Sequence, residues 1–326
     1  MKIVVAILGL SLLQSPALLP TVAPMPAEQR PVFKSSASLV ALNVTVVDQQ
    51  QRFVGGLSAD DFAVFEDGVR QDVRFFETRQ TPIDLIVLID SSSSMRPRMA
   101  MVHQAALGFV RTLRDGDRGA VITFDDNVDV VQPLTSDHAQ LESAIRGTTA
   151  RGGTALHNAL YIALKQFGRP ARGSTEVRRQ ALAVLSDGND TSSLISFEDV
   201  QEVARRTGVS VYPISLAGSA AEYDGQGRGE AFSKSQFALR QLAKDTGAQA
   251  FFPQTIHELD NIYESIAREL ASQYSIGYSP SNAAADGRFR RILVRLMSRP
   301  ECRLRARAGY IAEGIAGAPG HGPDFR

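Results

Sequence analysis

The middle of this chain alternates between uninterrupted apolar runs and segments of helical periodicity. That alternation restricts the possible folds more than any other feature. Asp84-Leu85-Ile86-Val87-Leu88-Ile89-Asp90 and Ala181-Leu182-Ala183-Val184-Leu185 are apolar at nearly every position, the pattern of strands covered on both faces. Further strands are expected at 119–124, 129–134, 209–216 and 248–253. Helices are expected near 96–113, 136–147, 155–167, 196–206, 233–245 and 255–271. Such a series predicts an α/β fold, a doubly wound and mostly parallel six-stranded sheet with helices on both faces. The tight connection Phe124-Asp125-Asp126-Asn127-Val128 predicts one antiparallel edge strand.

In an open parallel sheet, ligands collect beyond the carboxyl ends of the strands. Asp90-Ser91-Ser92-Ser93-Ser94 stands at such an end. Asp-x-Ser-x-Ser puts one carboxylate and two hydroxyls into one loop, a set of hard oxygens suited to Mg²⁺ or Mn²⁺. Alone this is a weak signal, because serines after a strand often just cap the next helix. Two more segments add oxygens: Arg151-Gly152-Gly153-Thr154 opens a helix, and Ser186-Asp187-Gly188 closes the second apolar run. Asp90 and Asp187 meet if their strands are neighbours. Gly153 and Gly188 read as places where the backbone approaches an ion too closely for a side chain. With Asp125 and Asp126 of the hairpin they are the candidate partner-contacting residues, although a solvated turn is the simpler reading of the two aspartates.

As a set, these residues resemble the metal-ion-dependent adhesion site of the von Willebrand factor type A family. That site is built from Asp-x-Ser-x-Ser, a distant Thr and a later Asp-Gly. Asp90, Ser92, Ser94, Thr154 and Asp187 match it in identity and order, and the resemblance spans roughly residues 82–270. It implies Mg²⁺ or Mn²⁺ held by these five residues, with Asp187 acting through water. It also implies a protein partner that completes the coordination with an Asp or Glu side chain, so that the function is binding and not catalysis. A metal-independent scaffold of an envelope assembly is the first alternative, and a metal-assisted hydrolase the second. The hydrolase reading lacks a histidine at a strand end beside Asp90 or Asp187. The sequence also has no Gly-x-Ser-x-Gly elbow, His-Glu-x-x-His or Walker loop. His157 lies one helical step past Thr154, on the wrong face to join the same ion.

The flanks have a different character. Val40, Leu42, Val44 and Val46 alternate with polar residues, and Phe62–Glu66, Asp67-Gly68 and Val69–Phe76 read as a hairpin. Past Gln273, Tyr274, Ile276 and Tyr278 alternate, then Ile292, Val294 and Leu296, then a last strand from Cys302 to Tyr310. Two or three strands are marginal alone, so residues 33–80 and 273–312 are expected to pack together as one β module interrupted by the domain at 82–270. The pairing of Asp67-Gly68-Val69-Arg70-Gln71-Asp72 with a final Arg307-Ala308-Gly309-Tyr310 is similar to the flanks of von Willebrand-related proteins abundant in acidobacteria. Arg288, Arg290, Arg291, Arg295, Arg299, Arg303, Arg305 and Arg307 are expected to form a solvated basic face, open to anionic polymer or lipid headgroups.

Residues 1–27 read as an export signal, with Lys2 before the apolar Ile3–Leu13. That run is too short for a full membrane span. The mature chain is therefore expected to be periplasmic, cell-surface or secreted, with no transmembrane span. Cys302 is the single cysteine, so no intrachain disulfide braces the fold, and a buried strand position is expected for it. A formal net charge of zero gives no global recruitment of nucleic acid. The loop 218–230, with Glu222, Asp224 and Glu230, reads as a surface loop, and 313–326 as a disordered tail.

Overall fold

The computed structural model describes residues 39–78, 81–167, 178–187, 189–216, 234–253, 255 and 257–312. The expected export signal, Gly188, the loop 218–230 and the expected tail lie outside these residues. Among the described residues no helix is long and apolar enough to cross a membrane.

The chain opens with four strands, β1 (Val40–Val47), β2 (Phe62–Glu66), β3 (Val69–Gln71) and β4 (Val73–Glu77). The central domain follows with β5 (Ile83–Asp90), α1 (Met99–Thr112), β6 (Arg118–Phe124), β7 (Val128–Thr135), α2 (His138–Arg146) and α3 (Leu156–Phe167). It continues through β8 (Arg179–Ser186), α4 (Phe197–Thr207), β9 (Ser210–Ser215), α5 (Lys234–Asp245) and α6 (His257–Ser272). Four strands close the chain: β10 (Tyr274–Tyr278), β11 (Phe289–Leu296), β12 (Arg303–Arg305) and β13 (Gly309–Ile311).

The central sheet has the order β7-β6-β5-β8-β9. Pairing is parallel from β6 to β9, and β7 returns antiparallel along β6. Successive residues of β5 face opposite sides. Leu85, Val87 and Ile89 pack with α1 and α6, while Ile86 and Leu88 pack with α3, α4 and α5. Burial on both faces is why the run carries no polar alternation. Among the described residues the sheet has five strands, not six. Segment 248–253 contributes one parallel bridge, Phe251 to Ile214, because Pro253 cannot donate to a ladder and the chain turns off toward α6. The first turn after β5 is a 3-10 segment, Ser93–Arg98, interrupted by Pro97, so α1 starts later than its periodicity predicts.

The flanking strands form two antiparallel sheets, β12-β1-β10-β4 and β13-β11-β2-β3. Each draws strands from both ends of the chain: β1 pairs with β10, and β2 with β11. Leu42, Val44, Phe62, Val64, Ile276 and Ile292 share their common core. Two of the expected strands break. Val69–Phe76 divides at Asp72, so that β3 stays with β2 while β4 crosses to β10. Cys302–Tyr310 divides into β12 and β13, again in different sheets. Strands that change sheets close the corners of a sandwich. Cys302 lies just before β12 and is partly buried against the module core. The arginines are split as well: Arg290 is buried against Asp286 and the Ala284 carbonyl, and Arg305 reaches the buried Glu269. Burial pulls the Arg307 guanidinium below its ordinary pKa.

One residue, Gln273, joins α6 to β10, and a polar knot fixes the joint. Glu269, 1% exposed, accepts from Thr45 Oγ1 at 3.1 Å, Tyr212 OH at 3.4 Å and Arg305 at 2.7 Å. Arg179 at the start of β8 donates to the carbonyls of Leu270 (2.6 Å) and Gln273 (2.7 Å), satisfying the open end of α6. Burial raises the Glu269 pKa above its usual 4.5, against the pull of Arg305. The folded state therefore holds the proton to higher pH than the unfolded chain, and this group's contribution falls as pH rises above 4.5. Replacing Glu269 by Ala removes the acceptor shared by Thr45, Tyr212 and Arg305 and is predicted to cost about 1–3 kcal/mol. Glu269→Gln should cost less, with a deficit that shrinks between pH 4.5 and neutrality, as read by urea unfolding at both ends of that window.

Candidate functional site

Parallel pairing of β5 with β8 runs in register up to Ile89 opposite Leu185. Asp90 and Asp187 therefore leave neighbouring strands at the same edge. Asp90 is fully buried, and Ser92, Thr154 and Asp187 are buried beside the crevice, at 1%, 4% and 7% exposure. Ser94 is exposed. The Asp90 carboxylate accepts the Ser92 N–H at 2.9 Å on Oδ1 and the Ser186 hydroxyl at 2.6 Å on Oδ2. Burial pushes its pKa up; the bonds from Ser186 and Ser92 oppose this, and the charge of Asp187 adds to it. Ser92 Oγ and Ser94 Oγ stand 3.0 Å apart.

Three loops are tied together around these groups. The Arg151 N–H donates to the Ser91 carbonyl at 2.7 Å, and the Ser93 N–H to Gly152 at 3.1 Å, fixing the turn before α3 over the serine loop. On its other side, Thr154 donates its N–H to Thr191 Oγ1, and its carbonyl accepts from Thr191 and Ser192. The segment after Asp187 is further pinned to α3: Asn158 Oδ1 accepts the N–H groups of Leu194 and Ile195, and Ser193 Oγ accepts from Asn158. Leu194 is 95% exposed at the tip of this anchored loop.

The hairpin aspartates act as braces. Asp125 is 5% exposed, not a solvated turn residue. It accepts from Arg151 at 2.8 Å and from the Asn127 N–H at 2.8 Å. Burial works against its ionisation, but those two donors prevail and hold its pKa below the usual carboxylate range. Asp126 accepts from the Gly153 N–H at 3.0 Å and Ser192 Oγ at 3.1 Å. A side chain at Gly153 would collide with Ser192 and Asp126. The missing Cβ thus makes room for this loop bracing. Gly152 has φ +66° and faces Asp126 as well. His157 packs against the Phe197 ring and lies near Asp190 and the Ile195 carbonyl, away from the serine loop. Ser186 is the residue that sequence reasoning passed over. It precedes Asp187 at the end of an apolar run, but its contact with Asp90 depends on which strands are neighbours.

A doubly wound sheet with oxygen-bearing loops gathered at its carboxyl edge defines a ligand-binding α/β domain. Over residues 84–265, more than half its length, the chain matches the von Willebrand factor type A domain, and it belongs to that family. Mouse matrilin-4 is 31% identical over 146 residues, a match covering 41% of this chain and 23% of matrilin-4. The UPF0353 protein of Mycolicibacterium paratuberculosis is 25% identical over 199 residues, covering 57% of this chain and 60% of that protein. The chain thus spans about a quarter of the first relative's length and less than two thirds of the second's. Among solved structures, a von Willebrand factor type A protein from Catenulispora acidiphila has 17% identity and a TM-score of 0.46, covering 73% of this chain and 52% of that one.

Substituting Ala at Gly152 combines left-handed strain with displacement of Asp126. It is predicted to cost roughly 1–3 kcal/mol. Chemical denaturation should read this loss, with Gly153→Ala also destabilising through Ser192 and Asp126.

Proposed function

We propose that this protein is an exported, divalent-metal-dependent adhesion module that captures a protein partner through an acidic side chain. The observation that carries the reading is the bonding of Asp90. It is a fully buried carboxylate that accepts from an N–H and hydroxyls, and its pKa is raised by burial and, to a smaller extent, by the charge of Asp187. A nearby cation is one way to stabilise the ionised form of a carboxylate so placed. Among the described residues no three His, Cys, Asp or Glu side chains gather as a metal cluster, so hydroxyls would have to supply further ligands. The donor set suits such an ion in its chemistry: the Asp90 and Asp187 carboxylates and the Ser92 and Ser94 hydroxyls, which are hydrogen-bonded to each other at 3.0 Å, are all hard oxygens.

In this reading Asp90, Ser92 and Ser94 hold Mg²⁺ or Mn²⁺, Thr154 lends its hydroxyl, and Asp187 contributes through water. The ion, when bound, offers an open position to a partner's Asp or Glu. Two carboxylates balance its charge and leave it electrophilic. Leu194, exposed on the loop that Asn158 anchors one helical turn past Thr154, gives the partner an apolar contact. Asp125 and Asp126 keep the loops in place, and Asp126, which is exposed, remains a candidate partner contact. Among the described residues no histidine bonds to Asp90, Ser92, Ser94, Thr154 or Asp187 to act as a base, which favours binding over hydrolysis.

Calorimetry and thermal melting with Mg²⁺ and Mn²⁺ test the reading. The wild type should bind saturably and gain about 2.7 kcal/mol at a metal concentration a hundredfold above Kd. Asp90→Ala/Asp187→Ala should show neither effect. Equal melting of both proteins with metal and with chelator would favour the metal-independent scaffold.

A further inference from the structure

The outward row of β11 has a composition that the metal site does not explain. Phe289, Arg291, Leu293, Arg295 and Met297 alternate with the buried Arg290, Ile292 and Val294, so all five point away from the module core. Phe289 is 39% exposed, Leu293 48% and Met297 62%. Arg205 of α4 covers part of the Phe289 ring at 5.1 Å, leaving Leu293 and Met297 as the open apolar positions. On β2, Phe65 stands opposite Leu293, and Arg70 of β3 stands opposite Phe65. Arg295 lies 5.6 Å over the Phe65 ring. Arg70, Arg291 and Arg295 are exposed. Asp67 sits at the edge of this face, accepting the Arg291 N–H at 2.9 Å.

We propose that this face seats the β module on a membrane surface rich in anionic lipid. Along a strand, positions four apart are about 13 Å apart, so the row sets cations and apolar groups alternately over a span of several headgroups. Arginines at that spacing meet lipid phosphates, and Leu293 and Met297 enter the boundary between headgroup and acyl chain. A soluble phosphate polymer would satisfy the arginines but leave Leu293 and Met297 wet, since neither has a ring on which to stack. The position of the module gives the seat a use. Arg179 opens β8 and binds Gln273 and Ser275, so the module docks at the amino-terminal edge of the central sheet. Asp90 and Asp187 lie at the opposite edge, so a module resting on lipid leaves that edge free for a partner.

Co-sedimentation of the full chain with phosphatidylcholine vesicles, with and without phosphatidylglycerol, tests the seat. The readout is the increment caused by phosphatidylglycerol, compared with Arg291→Glu/Arg295→Glu in the same chain. Wild type should show an increment that falls with added salt. The double variant should lose more than the roughly fivefold per arginine expected from deleting each charge, because it inverts them. Leu293→Ser/Met297→Ser should weaken binding while preserving its salt dependence. Thermal melting of each variant establishes that it is folded. An absent increment, or one unchanged in the arginine variant, overturns the proposal. Retention on immobilised polyphosphate without vesicle binding assigns the face to a soluble polyanion and overturns it too. Because the assay needs no divalent metal, its outcome is independent of the metal site.

Discussion

Parallel pairing of β5 with β8 is the constraint from which the site follows. It brings the ends of two apolar strands to one edge, placing Asp90 within reach of Ser186 and of the charge on Asp187. Both strands are buried on both faces, so neither can slip without moving a row of Leu, Ile and Val side chains out of two cores at once. The rigidity that packs those cores is what fixes a carboxylate where water does not reach it.

Around that fixed point, position is transmitted by backbone hydrogen bonds. The glycine turn hangs on Ser91 and Ser93 on one side and on Thr191 and Ser192 on the other. Arg151, Asp125 and Asp126 tie the hairpin to the same turn. Thr154 is thus set by both neighbouring loops. Asp125 looks like part of a solvated acidic turn but is buried because it braces Arg151 and the hairpin backbone, while Asp126 braces the glycine turn from an exposed position.

The same logic of buried polar contacts joins the central domain to the β module. Glu269, Arg305, Thr45 and Tyr212 come from α6, β12, β1 and β9, and Glu269 is the acceptor that the other three share. The joint holds α6 at its carboxyl end, away from the crevice. One face of the module is then committed to its own core, and its outer row on β11 to solvent.

The alternation of apolar runs with helical periods was enough to determine the α/β class, the antiparallel hairpin and the six helices within a few residues, because burial on both faces writes period and length directly into the chain. The order Asp90, Ser92, Ser94, Thr154, Asp187 was legible for the same reason: each stands where an apolar run ends or a helix begins. Tertiary structure alone decided the rest. Whether Asp90 meets Ser186 depends on strand order, which no local pattern encodes. The purpose of Gly153 is space for Asp126 and Ser192, residues distant in sequence. Arg290 and Arg305 turn inward because Asp286 and Glu269 are waiting there, while Arg291 and Arg295 share the same run of arginines and face solvent. Composition counts charges, but only packing determines which of them are paired.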